Sequence, residues 1–152
     1  MTALICGSVA YDNIMGFEDS FKNHILPDKI HILNVAFLVP RLRREFGGCA
    51  ANIAYNLRLL GENPLPMATV GQDFGPYREW LEAKGIDVGH IRVLDDVLTA
   101  QAFITTDLDD NQITAFHPGA MNFAERNKVS DANGVKIGMV SPDGRAGMSG
   151  AA

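Results

Sequence analysis

Apolar and polar positions along this chain form short runs whose period changes several times. Ala3 to Cys6 is a continuous apolar run ending in Gly7-Ser8, the pattern of a strand buried on both faces at the centre of a parallel sheet. From Val9 to Phe17, apolar residues flank Asp12, and polar Glu18, Asp19 and Ser20 follow. Ile30, Ile32, Val35, Phe37 and Val39 then alternate loosely up to Pro40, which predicts a half-exposed edge strand over 30–39. The basic stretch after it, with Arg41, Arg43 and Arg44, reads as irregular. At Gly47-Gly48 the period becomes helical: Ala50, Ile53, Ala54, Leu57 and Leu60 share one face, and Gly61 is the stop.

Pro66 to Val70 predicts another strand, closed by Gly71-Gln72-Asp73. Asp73 is suited to cap the next helix and Pro76 to its first turn. That helix carries Tyr77, Trp80, Leu81 and Lys84, and Gly85 ends it. Val88 to Leu94 is the next strand. Strand, helix, strand, helix, strand at these lengths predicts an α/β sheet with right-handed crossovers. The alternation then breaks. Ala100–Thr106 and Gln112–Phe116 flank the polar Asp107–Asn111, predicting a hairpin. Joined with 9–17 and 30–39, it makes a four-stranded lid. Val135 to Val140 is the last apolar strand, and the small-residue tail from Gly144 to Ala152 reads as a frayed end.

Composition adds limits. The 152 residues suffice for one domain with a real core, and 47% hydrophobic with 20% charged residues is that of a globular chain. A net charge of −5 leaves no electrostatic footprint for nucleic acid, and no apolar run approaches the ~20 residues that span a bilayer. Two cysteines in apolar or tight contexts, Cys6 and Cys49, read as free thiols of a cytoplasmic protein. The four histidines pair with no metal-ligand spacing. Walker A, Gly-x-Gly-x-x-Gly and Gly-x-Ser-x-Gly motifs do not occur, and Asp109-Asp110-Asn111 lacks the spacing of a calcium loop and reads as a solvated tip.

Two features remain that can carry chemistry. A helix opening at Gly47-Gly48 offers unpaired N–H groups with no side chain in a ligand's way, and Asn52 lies in its first turn. The same pattern also describes a tight turn into a core helix. Asp12, just beyond a core strand, can accept two hydrogen bonds from a vicinal diol, or it can cap a turn.

These residues carry a family likeness. Gly47-Gly48-x-x-x-Asn52 with Val70-Gly71-x-Asp73, the opening Gly7-Ser8-Val9-Ala10-Tyr11-Asp12, Thr105-Thr106-Asp107 and Phe116-His117-Pro118-Gly119-Ala120-Met121 resemble the PfkB/ribokinase family of sugar and nucleoside kinases. Within it the match is most like bacterial adenosine kinases, from Met1 to about Gly144. The resemblance implies a ribokinase-like α/β fold, a mostly parallel sheet flanked by helices with a small β-sheet lid, of which this chain is the N-terminal half. Lid segments at 12–45 and 99–118 would be inserted in the core. It implies ATP-dependent phosphorylation of the 5′-hydroxyl of a nucleoside or sugar. Asp12 and Asn52 would hold ribose hydroxyls, Gly47 and Gly48 would let the backbone approach, Ser8 would lie near the base or sugar, and Phe116 would stack on a purine.

The family's catalytic Asp, anion-hole glycines and ATP segment lie after the strand that here ends at Val140. No catalytic or metal-binding residue is therefore assigned, and ATP and Mg2+ belong to the complete enzyme with no binding motif in this chain. Asn122-x-x-Glu125 matches the Mg-associated motif in the wrong place, before that strand. Ala10 departs from an Asn of ribokinases, which argues against plain ribose, and Ala102 stands where some adenosine kinases have an aromatic. The tail suggests a truncated or frameshifted end. The chain is expected to be inactive alone; the alternative is a non-catalytic nucleoside- or sugar-binding fragment, or one that dimerises through its lid strands.

Overall fold

The computed structural model describes residues 2–151. In chain order they form β1 (Thr2–Cys6), β2 (Ala10–Gly16), β3 (Arg41–Gly47), α1 (Cys49–Leu59), β4 (Asn63–Gly71), α2 (Gly75–Ala83), β5 (Ile91–Leu94), β6 (Ala100–Thr106), β7 (Gln112–His117), β8 (Ile137–Val140) and α3 (Arg145–Ala151). Two four-stranded sheets result. The main sheet runs β5-β4-β1-β8 with every neighbouring pair parallel. Its central strand β1 sends Ala3 and Ile5 into the core beneath α1 and α2, and Leu4 and Cys6 into a cluster with Met67 on the other face. That two-sided burial is what a continuous apolar run encodes. Ala50, Ala51 and Ala54 are the buried residues of α1, so small side chains bring this helix close to the sheet. Its apolar stripe stops short of expectation: Leu60 is 78% exposed.

The second sheet runs β3-β2-β6-β7, with β2 and β6 parallel and the outer pairs antiparallel. Its third member corrects the sequence reading. No strand forms over 30–39. Residues 27–32 make a 3-10 helix and 33–40 follow as an irregular strap. The pairing partner of β2 is the basic stretch Arg41–Gly47, in register from Gly16↔Arg41 to Ala10↔Gly47. Charged side chains suit an edge strand that faces water. The apolar residues of 30–39 are largely exposed, Leu38 most of all; Phe37 pins the strap, its ring 4.8 Å from that of Phe17 and 5.0 Å from that of Phe21.

Two further expectations are revised. Asp73 does not cap α2; Phe74 holds that position, and the Asp73 carboxylate instead accepts the Thr99 N–H at 2.7 Å. The hairpin tip at Asp109-Asp110-Asn111 is exposed as expected, while Asp107 at its base is buried and accepts N–H groups of Phe21, Asp109 and Asn111. The tail is helical, not frayed. α3 lies against 119–126 so closely that a side chain at Gly147 would collide with Ala124, and one at Gly144 would lie 2.5 Å from the Met121 carbonyl. Small residues there are the condition for contact.

Candidate functional site

Two short connections meet where the two sheets join. Gly7-Ser8-Val9 carries the chain from β1 to β2, and Gly48 alone separates β3 from α1. Ser8 ties them together: its hydroxyl accepts the Cys49 N–H at 3.0 Å, its carbonyl accepts the Ala50 N–H at 2.9 Å, and its own N–H reaches the Pro142 carbonyl at 3.0 Å. This overturns the expectation of open donors at the start of α1, since its first two N–H groups are taken within the protein. Ser8 serves as the missing cap.

The two glycines have different reasons. At Gly48 φ is +92°, and a Cβ would lie 2.6 Å from the Ser8 carbonyl oxygen and from Val9 Cα. Backbone crowding therefore requires glycine here. At Gly47 the neighbour is a side chain: a Cβ would overlap the Asp12 carboxylate. The missing side chain is the space in which Asp12 sits. The Tyr77 hydroxyl donates to the Gly47 carbonyl at 2.8 Å, and its ring stacks on Phe46 at 4.3 Å. Burial, and then the charge of Asp12, push the Tyr77 phenol well above its usual range, so it stays a donor.

Pleating places Asp12 in one cross-strand row, Glu45–Asp12–Ala102–Phe116. Ala102 keeps the middle of the row low, Phe116 is half exposed, and Phe103 belongs to the opposite face. Phe116 stands two strands from Asp12, roughly 10 Å by strand spacing. The Asp12 carboxylate is half buried and makes no hydrogen bond or ion pair with any described residue; burial alone pushes its pKa up. Asn52 is exposed in the first turn of α1. Its carbonyl accepts from Asn56 at 2.7 Å, while its side-chain amide is bonded to no described residue. The structure thus brings Asp12 against Gly47, Ser8 against Gly48, and Phe116 into line with Asp12; Asn52 joins them through its backbone, its N–H donating to the Gly48 carbonyl at 3.1 Å.

The opposite face of the second sheet holds what sequence reasoning missed. Asn13 donates to the Gln101 side chain (3.2 Å) and accepts from Arg44 (3.0 Å), Gln101 reaches Asp73 (3.5 Å), and the Tyr11 hydroxyl donates to the Asp73 carbonyl (2.8 Å). Period-two alternation could have separated Asn13 from Asp12, but not shown that Asn13 is buried. Asp143, in the loop after β8, was also not singled out; burial raises its carboxyl to about 6, against the opposing pull of the Gly144 N–H at 2.8 Å.

Concavities lie at Ile14–Gly16 with Pro40–Arg43, about 620 Å3, and beside His90 and Arg92, about 220 Å3. Among the described residues no group of three or more His, Cys, Asp or Glu that could hold a metal ion occurs, and no helix is long and apolar enough to cross a membrane. Cys6 and Cys49 are free thiols.

Residues 21–141 match the model of the pfkB family carbohydrate kinases. A nucleoside kinase of Methanothermobacter thermautotrophicus is 34% identical over 122 residues, covering 79% of this chain and 36% of that protein. The solved nucleoside kinase of Burkholderia thailandensis in complex with inosine is 52% identical with a TM-score of 0.83, over 97% of this chain and 47% of that one. The Methanocaldococcus jannaschii nucleoside kinase, described as an archaeal member of the ribokinase family, is 27% identical with a TM-score of 0.82, over 97% of this chain and 46% of its own. The chain therefore spans less than half the length of these relatives. With a parallel sheet flanked by helices, a small mixed sheet beside it and a family match across most of its length, this chain belongs to the pfkB family of carbohydrate kinases and has the ribokinase-like α/β fold.

Proposed function

We propose that this chain supplies the acceptor-binding half of an ATP-dependent nucleoside kinase, phosphorylating the 5′-hydroxyl of a ribose moiety, with adenosine or a related purine nucleoside as acceptor. The observation that carries this reading is Asp12, a half-buried carboxylate with no partner, in the space that Gly47 leaves and in one row with an exposed aromatic. A vicinal diol supplies two O–H donors to such a group, and a purine face suits Phe116. Gly48 and Ser8 fix the junction beneath, and Asn52 offers its free amide from α1. The strands of the second sheet, within segments 12–45 and 99–118, act as the lid. The inosine and ADP-inosine complexes of the Burkholderia relative support a nucleoside acceptor and an adenine nucleotide donor.

On this reading the chain supplies the acceptor side only and is inactive alone, so a coupled assay with adenosine, ATP and Mg2+ should detect no ADP formation. Calorimetry tests the acceptor site directly. Saturable micromolar binding of inosine or adenosine is expected, weakened at least 100-fold in Asp12→Ala; absence of any heat from both nucleosides sinks the proposal. Pairing of two copies belongs to the same reading, now through the exposed outer strands β3 and β7 and not through 30–39. Light scattering on dilute protein should give twice the mass of a single chain. Two free thiols accord with a cytoplasmic setting.

A further inference from the structure

A second constellation lies on the far face of the main sheet, away from Asp12. A cavity of about 220 Å3 is lined by His90, Arg92, Asn127, Lys128 and Asp131. In a chain of net charge −5 it gathers two cations and an imidazole, none of them in an ion pair with a described residue. Arg92 is also held in place. Its Nε donates to Asn127 Oδ1 at 3.2 Å, and Asn127 Nδ2 donates to Thr69 Oγ1 at 2.9 Å. Thr69 is 3% exposed on β4. The guanidinium is thus anchored along one edge to the core, while its two terminal amino groups have no protein partner.

We infer that this cavity binds the phosphate group of a small molecule. An oriented guanidinium presents parallel donors that match phosphate oxygens, and an ammonium beside it adds a compact charge. Asp131 is a single carboxylate among these donors, too few for a cation site. The volume is below the ~300–1,000 Å3 of pockets for drug-sized ligands, so the ligand is phosphate itself or a short phosphomonoester. The site is independent of the nucleoside reading, on different strands and different side chains.

Inorganic phosphate and glycerol 3-phosphate, titrated separately into the protein by calorimetry at low ionic strength, test this. One-to-one saturable binding of at least one is expected. It should weaken at least tenfold in Arg92→Gln and be unchanged in Lys29→Gln, which removes the same charge from the exposed 3-10 helix Pro27–Ile32. Lys128→Gln, on an exposed residue outside any helix or strand, repeats the test without risk to β5. Binding of phosphate but not the ester identifies the free anion as ligand; tighter binding of the ester identifies a phosphorylated metabolite. No saturable binding of either, or equal weakening in Lys29→Gln and Arg92→Gln, overturns the inference.

Discussion

Asp12 and Asn13 are neighbours on β2, and the protein treats their side chains in opposite ways. Asn13, 5% exposed, uses its amide fully: Nδ2 donates to Gln101 at 3.2 Å and to the Ala102 carbonyl at 3.3 Å, and Oδ1 accepts from Arg44 at 3.0 Å. Arg44 in turn lies over the Tyr11 ring at 4.9 Å. On the other face Asp12 has no partner, although burial raises its pKa. Buried polar groups that serve structure are bonded within the protein, so a partly desolvated one left open needs another reason. The back face of the second sheet fixes the strands; the front face carries the proposed acceptor site.

Breaking the junction beneath both faces should have the largest effect. Gly48→Ala places a Cβ 2.6 Å from backbone atoms of Ser8 and Val9 at a φ of +92°, with no flexible side chain to yield. A loss of about 3 kcal/mol is expected, a melting temperature lower by roughly 6–12 °C, with nucleoside binding falling alongside. An unshifted thermal melt would show that the junction is not the rigid base it looks.

Next comes Asp12→Asn, which separates ligand chemistry from folding. Nucleoside affinity should fall about 100-fold, roughly 2.7 kcal/mol, while the melting temperature holds or rises slightly. Its sign follows from linkage: an acid whose folded-state pKa is raised costs stability as pH rises from its unfolded to its folded pKa, a cost that then persists, and the amide removes it. A melt several degrees lower would place Asp12 among the structural residues and collapse the contrast. Asn13→Ala should do the reverse. Stranding Gln101 and Arg44 costs about 2 kcal/mol, or roughly 4–8 °C, while the affinity of the folded protein changes far less than in Asp12→Asn.

The same contrast explains how much could be read without a structure. β1, α1, β4 and the β6–β7 hairpin were legible because each has a clean apolar period and a glycine or turn to end it. The strap was not: Ile30 to Val39 alternates like a strand, yet the hydrogen-bonding edge of β2 is claimed by Arg41–Gly47, whose charges hid it. Strand pairing is decided by partners distant in sequence, which periodicity does not contain. Gly47 and Asp12 stood out from local pattern and Phe116 through family likeness, and the row that Asp12 shares with Phe116 emerged only from register. Ser8 was placed near a ligand, whereas its hydroxyl is committed to the Cys49 N–H. Asn13 and Gln101 stayed invisible because burial of a polar side chain leaves no local mark.

The smallest effect is expected at Asp143, where the contrast is carried to the main sheet. Its carboxylate accepts one hydrogen bond, from Gly144, and burial lifts its pKa from 3.8 to about 6. Between those values the folded chain holds a proton that the unfolded chain has released, so this group's contribution to stability falls as pH rises from about 4 to about 6 and is level above. Asp143→Asn should match the parent protein near pH 4 and exceed it above pH 7. The group is partly exposed, so solvent screening reduces the gain to about 1 kcal/mol, or roughly 2–4 °C. The quantity to follow is the difference between variant and parent across pH 4–8, because Asp19, held down at about 2 by His24, the Ser20 N–H and Asn23, contributes with the opposite sign in both. A difference that stays flat over that range would mean that Asp143 is solvated in the folded chain, and only Asp12 would then remain as a carboxylate left open.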